Sequence, residues 1–187
     1  MRFTGCGQWR RTVPPLAIFL LYLPIAAAPD LRLAVPEWIG FTAVIVILLS
    51  LILFLAPSIE NQWSAGFILL MAAVLRGLFL WRAPELSDDI YRYLFDGLIL
   101  VNGRNPYALA PADAATAMPA LSALAGRVNH AELPTIYPPA AQFVFAFGAV
   151  FGNVGGMKLA MVLVDLAGCA LILNLLDRCR LPRNNAV

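Results

Sequence analysis

From Trp38 to Ile59 the chain carries no charged side chain, and nearly every residue of that stretch is apolar. A run of about 20 such residues has one ordinary solution, a helix that crosses a bilayer with its backbone polar groups bonded internally. The composition extends the point to the whole chain. Of 187 residues, 61% are hydrophobic and 13% charged, against about 25% charged in a soluble domain. One core cannot hide that much apolar surface, so most of it must face lipid. The net charge of +2 comes from scattered basic residues, which excludes a nucleic-acid surface.

Residues 35–56 form the clearest span, and four others flank it. Residues 13–28 are short and bear Pro14, Pro15 and Pro24; residues 67–81 carry Arg76 and stop at Arg82; residues 139–151 and 157–176 follow a long polar segment, the last containing Asp165. The predicted fold class is an all-α integral membrane protein of about five transmembrane helices. Its parts are residues 1–82 with three spans, a large extracytoplasmic loop over 83–138, and residues 139–187 with two spans and a short tail. Ala26-Ala27-Ala28 loosely mimics a cleavage site, but apolar spans follow at once, which favours a retained first helix. Cys6, Cys169 and Cys179 make no CxxC pair and no even framework, so neither a disulfide scaffold nor a zinc site is predicted.

Arg2, Arg10 and Arg11 place the amino terminus in the cytoplasm, and three crossings put the loop outside. Two more crossings would leave Arg178, Arg180 and Arg183 outside, against the positive-inside rule. Either one short segment does not cross fully or the tail is an exception.

The loop has structure of its own. Ser87 is a natural N-cap, with Asp88 and Asp89 in the first turn, where the helix dipole favours negative charge. Leu86 and Tyr91 have the spacing of a hydrophobic staple. Gly103 suits the left-handed position after a helix, and Pro106 forbids continuation. The spacing predicts a helix over 88–102, with Ile90, Leu94, Leu98 and Val101 on an apolar face and Asp88, Arg92 and Asp96 on a polar one. Such a helix can lie in the membrane interface with its polar side toward water. A second helix is predicted over 114–127.

Asp88 and Asp89 are the sharpest chemical feature. Acids at a helix start are held ionised by the dipole and by free backbone amides, which suits a general base or a divalent-metal ligand as well as simple capping. Arg92 lies four residues from both Asp88 and Asp96, so it fits an intrahelical ion-pair row or a phosphate site. Arg104 falls in a turn, Gly103-Arg104-Asn105-Pro106-Tyr107. His130, the single histidine, cannot make a metal site without acidic company. Thr135-Ile136-Tyr137-Pro138-Pro139 reads as extended chain feeding a helix. Asp165 should face a bundle interior or pair with a cation such as Lys158.

Taken in order, Leu86-Ser87-Asp88-Asp89-Ile90-Tyr91-Arg92-Tyr93, Asp96-Gly97, Gly103-Arg104-Asn105-Pro106-Tyr107, Asn129-His130, and Pro134-Thr135-Ile136-Tyr137-Pro138-Pro139 with Gln142 resemble one family. It is the bacterial and archaeal group of GT-C-type membrane glycosyltransferases that use polyprenyl-phosphate sugars, near the polyprenol-phosphate-mannose-dependent mannosyltransferases (the glycosyltransferase family 87 type). The resemblance covers residues 75–176, including Lys158 and Asp165. It implies a partial GT-C fold in the cell membrane and an inverting transfer on the extracytoplasmic face, with Asp88 or Asp89 as base. It also implies substrate contacts from Tyr91, Arg92, Asp96, Arg104, Asn105, Tyr107, His130, Tyr137 and Gln142. The implied partners are a polyprenyl-phosphate sugar donor, membrane lipid, and an acceptor glycan or lipid. No cofactor is fixed by it, although a divalent metal is compatible with the acid pair. Arg92 and Arg104 are the cations available to balance a leaving phosphate. Members of the family are longer, with further spans, so the resemblance implies an amino-terminal portion.

Two other classes compete. One is a non-catalytic multi-pass membrane protein that keeps a lipid-binding surface and works with a partner subunit. The other is a small transporter, which the concentration of polar residues in the loop rather than at mid-membrane disfavours.

Overall fold

The computed structural model describes residues 5–55 and 63–181. Arg2, Glu60 and Arg183 lie outside the described residues, as do the side chains of Cys6, Arg10 and Arg11. The chain is all-α, with no strand among the described residues. The helices are α1 (Gly5–Ala27), α2 (Val35–Leu55), α3 (Ala65–Leu80), α4 (Asp89–Val101), α5 (Pro111–Ala117), α6 (Ser122–Ala125), α7 (Pro139–Ala149) and α8 (Val154–Arg178), with a 3₁₀ turn at Pro119–Leu121.

Helix α8 is long and apolar enough to cross a bilayer. Its 25 residues give about 37 Å of rise against a hydrocarbon core of about 30 Å. About five such helices were expected. Among the described residues the other apolar stretches are shorter, namely Leu16–Ala27, Val35–Leu51, Ala65–Leu80 and Pro139–Ala149.

The chain divides into two units, residues 1–79 with 166–187, and residues 80–165. In the first unit, α1 runs through Pro24, and Tyr22 meets Phe79 edge to face at 6.1 Å. Large apolar side chains stay exposed along α2, Ile39, Val46 and Ile47 among them. Arg76, inside the apolar α3, bonds the Ala72 carbonyl at 3.0 Å and reaches the Cys169 Sγ at 3.8 Å. A cation in an apolar helix needs such acceptors in place of water.

The second unit is built around α4. Its Phe95 and Ile99 are fully buried and join Tyr91 with Ala114, Ala125 and Val128 on one side. On the other side Leu94 packs with Phe145, Ala149 and Met157. Gly97 permits the close crossing with α7: a Cβ there would collide with the Phe145 carbonyl and stand 2.8 Å from the Ala149 Cβ. The C-terminal stop is as the sequence predicts. Gly103 has φ 71°, its N–H bonds the Leu100 carbonyl at 2.9 Å, and the Arg104 N–H bonds the Ile99 carbonyl at 3.0 Å. These are the two bonds of a Schellman motif.

At the start of α4 Asp88 already has a helical backbone, and the Ser87 Oγ accepts the Asp89 N–H at 3.2 Å, the bond of a capping serine. Two expectations are corrected here. The polar face of α4 does not meet water, because Arg92 and Asp96 are buried. The helix is therefore the core of its unit and not a surface-floating amphipath. The second loop helix starts earlier than predicted and is broken at Met118-Pro119 into α5, the 3₁₀ turn and α6, since proline cannot donate the bond that would continue α5.

Candidate active site

Arg92 sets the frame of the site. Its Nη1 donates to the Leu133 carbonyl at 3.0 Å, and its Nη2 to those of His130 at 2.9 Å and Asn129 at 3.4 Å. Three carbonyls can converge on one guanidinium because His130 takes a left-handed backbone, φ 52°, which reverses the chain there. Of the expected intrahelical ion-pair row the Arg92–Asp96 member is present and buried, and the guanidinium's shorter bonds tether α4 to the 129–133 loop. With its donors so engaged, this guanidinium does not face a ligand. His130 contributes its carbonyl, while its imidazole points to solvent 3.6 Å from Glu132.

Asp96, 1% exposed, closes the same network. It lies 4.0 Å from the Arg92 Nη1 and accepts from the Gln142 Nε2 at 3.3 Å. The Gln142 Nε2 also donates to the Thr135 Oγ1 at 2.9 Å. Burial raises the Asp96 carboxyl above its ordinary value of 3.8, while bonds from Thr135 and Gln142 and the charge of Arg92 pull it back down. Tyr91 is likewise structural: its buried ring carries the Arg127 guanidinium at 3.8 Å, and its hydroxyl is bonded by the Arg127 Nη2.

Asp89 is exposed and Asp88 half-exposed at the start of α4. Beside them lies an aromatic shelf. Tyr93 stacks on Phe145 at 4.6 Å and 12°, and Tyr137 meets Tyr93 edge-on at 5.1 Å and Phe145 at 5.4 Å. The Tyr137 hydroxyl is pushed well above its usual range by burial first, then by the bond with Tyr93 and the charge of Asp89. The Asp89 carboxylate is thus within electrostatic reach of the Tyr137 phenol. The carboxylate and the half-buried phenols offer a proton acceptor and hydroxyl-directed hydrogen bonds, with the rings anchored on the buried Phe145 of the core.

Four predicted residues gather elsewhere. A groove of about 360 Å³ between the end of α4 and the first turn of α7 is lined by Leu100, Arg104, Asn105, Tyr107, Gln142 and Phe143. Asn105 shapes it by accepting the Tyr107 N–H at 2.9 Å, a local Asx turn. The Tyr107 hydroxyl donates to the Tyr137 carbonyl at 2.6 Å, which fixes the extended stretch before Pro138. The Gln142 Oε1 is buried and has no hydrogen-bond partner among the described residues. The 13 residues of α4 separate the acids from this groove by about 18 Å of helix rise. Arg104 and the acids therefore serve opposite ends of α4, and the expected convergence of Arg104 on a phosphate at the reacting carbon is not formed.

Asp165 is exposed, and Lys158 donates to the Arg82 carbonyl at 2.6 Å, beside the 2.7 Å Arg82–Glu85 ion pair. Among the described residues no group of three or more His, Cys, Asp and Glu side chains comes together to hold a metal ion. Sequence reasoning did not single out Phe145 of the shelf or Arg127. Their signal was present only as helical spacing on α7 and as a basic residue in a loop.

Comparison with protein-family models, with curated proteins and with solved structures finds no match to this chain.

Proposed function

We propose that the chain is a multi-pass membrane glycosyltransferase of GT-C type, or the amino-terminal portion of one, acting on the extracytoplasmic face. It would transfer a sugar, mannose being the one the resemblance favours, from a polyprenyl-phosphate donor to an acceptor hydroxyl. The observation that carries the reading is the exposed Asp89 at the start of α4, whose charge acts on the Tyr137 hydroxyl, on a helix whose Arg92 and Asp96 are buried. An acid kept free of the buried network is the group available to a substrate.

In the reaction, Asp88 or Asp89 takes the acceptor's hydroxyl proton. The oxygen then bonds to the anomeric carbon from the face opposite the phosphate, and the carbon–oxygen bond to phosphate breaks with its electron pair leaving on polyprenyl phosphate. The exposed apolar residues along α2 and α8 support a lipid setting, where the carrier's tail can stay in the bilayer while its sugar reaches the shelf.

A second reading draws on the fact that Tyr91, Arg92 and Asp96 serve packing. In it the chain is a non-catalytic membrane subunit that keeps the lipid-facing surface for a partner. Membranes carrying the chain, supplied with radiolabelled polyprenyl-phosphate sugars, separate the two. Transfer that vanishes in the Asp88→Asn, Asp89→Asn double variant while membrane insertion persists supports the enzyme. Transfer that survives the double substitution removes the acids from the mechanism, and no transfer from the unaltered chain supports the subunit.

A further inference from the structure

Helix α7 has 11 residues, about 17 Å of rise, where a crossing needs about 30 Å. Its whole course stays beside α4. Just before its first residue Tyr137 meets Tyr93, its first turn lines the groove at the end of α4 through Gln142 and Phe143, and Ala149 at its far end approaches Gly97. Beyond it the chain reverses within a few residues. Gly152 takes φ 69° and bonds the Ala149 carbonyl at 2.8 Å. The Asn153 Oδ1 then accepts the Gly156 N–H at 2.8 Å, an N-cap that starts α8 at once. Meanwhile Phe143, Phe147, Val150 and Phe151 form one stripe at helical spacing. Phe143 is 71% and Val150 70% exposed, and the Phe147 and Phe151 rings touch edge to face at 6.0 Å.

We infer that α7 does not cross the membrane but lies in the outer leaflet, with its phenylalanine stripe against lipid acyl chains, so that the chain crosses four times and its tail is cytoplasmic. This rests on the multi-pass reading above. The charge pattern argues for lipid as the occupant. With α7 removed from the count, Arg178, Arg180 and Arg183 join Arg2, Arg10 and Arg11 on the cytoplasmic side, as the positive-inside rule requires. The conflict left by five crossings disappears, and the stripe, which bears no charged group, sits at the level of the acyl chains beside the acids' helix.

The test uses full-length chain lacking its native thiols (Cys6→Ser, Cys169→Ala, Cys179→Ser), with one cysteine returned at Asn153 or at Asn184. An impermeant maleimide applied to spheroplasts should label position 153 at once and position 184 only after lysis. Position 184 labelled in intact spheroplasts, or position 153 protected until lysis, overturns the inference. Release of the chain by alkaline carbonate would instead sink the multi-pass reading itself. A nitroxide at Phe147→Cys in reconstituted vesicles identifies the occupant. Relaxation by oxygen above that by a nickel chelate means lipid, relaxation chiefly by nickel means water, and protection from both means protein. The last two overturn the inference.

Discussion

Replacing Arg92 with methionine separates a structural tether from a substrate contact. The guanidinium makes bonds at 3.0, 2.9 and 3.4 Å to three loop carbonyls and stands 4.0 Å from Asp96. The two shorter bonds each contribute about 1.5–3 kcal/mol as charge-assisted pairs, and removing one partner of a buried ion pair costs about 3–5 kcal/mol. Methionine restores most of the packed volume, so Arg92→Met should lose about 3–5 kcal/mol of unfolding free energy. Arg104→Met, on an exposed residue, should stay within about 0.5 kcal/mol of the parent. Unfolding of the purified protein in mixed micelles with rising SDS, followed by tryptophan fluorescence, measures both. The deficit of Arg92→Met should shrink as pH falls toward 3.8, the ordinary carboxyl value, because a protonated Asp96 no longer needs a cation. If Arg92→Met unfolds like the parent yet loses sugar transfer, the guanidinium serves the substrate and the tether is refuted.

Gly97→Ala places a Cβ against the Phe145 carbonyl and 2.8 Å from the Ala149 Cβ, so it should destabilise by about 1–3 kcal/mol or more; an unchanged SDS midpoint would mean the two helices do not meet so closely. Gln142→Leu removes the bonds to Asp96 and Thr135 and should cost about 1–3 kcal/mol in the same assay. Burial holds the Asp96 carboxyl above its ordinary value, so the native state favours the proton. Stability from this group is full below pH 3.8 and is lost as pH rises through the higher native value. Measured against Asp96→Asn across that window, the parent should therefore lose relative stability with rising pH, and the opposite slope would show a depressed carboxyl.

The ends of α4 were legible because their signals are local. Gly103 needs the left-handed backbone it adopts, and Pro138-Pro139 starts α7 as pre-proline sterics require. The direction of Arg92 was not legible. Helical spacing reveals only neighbours on the same helix, and the carbonyls that capture this guanidinium come from residues 129–133, brought near by the fold. The same limit hid the aromatic shelf, where Tyr93 meets Tyr137 and Phe145 from another helix. The shortness of α7 was not legible, because hydropathy counts apolar residues and ignores the turn at Gly152 that stops them. The acids at 88 and 89 were legible as a charged pair at the start of α4, since charge at a helix start is visible in sequence. Their separation from Arg104 needed the length of α4.

The stereochemistry of the product tests the enzymatic claim most directly. With a polyprenyl-phosphate sugar carrying ¹³C at its anomeric carbon, the one-bond carbon–proton coupling of the product reports the new linkage. An acid that only deprotonates the acceptor, with no covalent sugar–enzyme intermediate, yields the anomeric configuration opposite to that of the donor. A product that keeps the donor's configuration would contradict the assignment of Asp88 and Asp89 as a base.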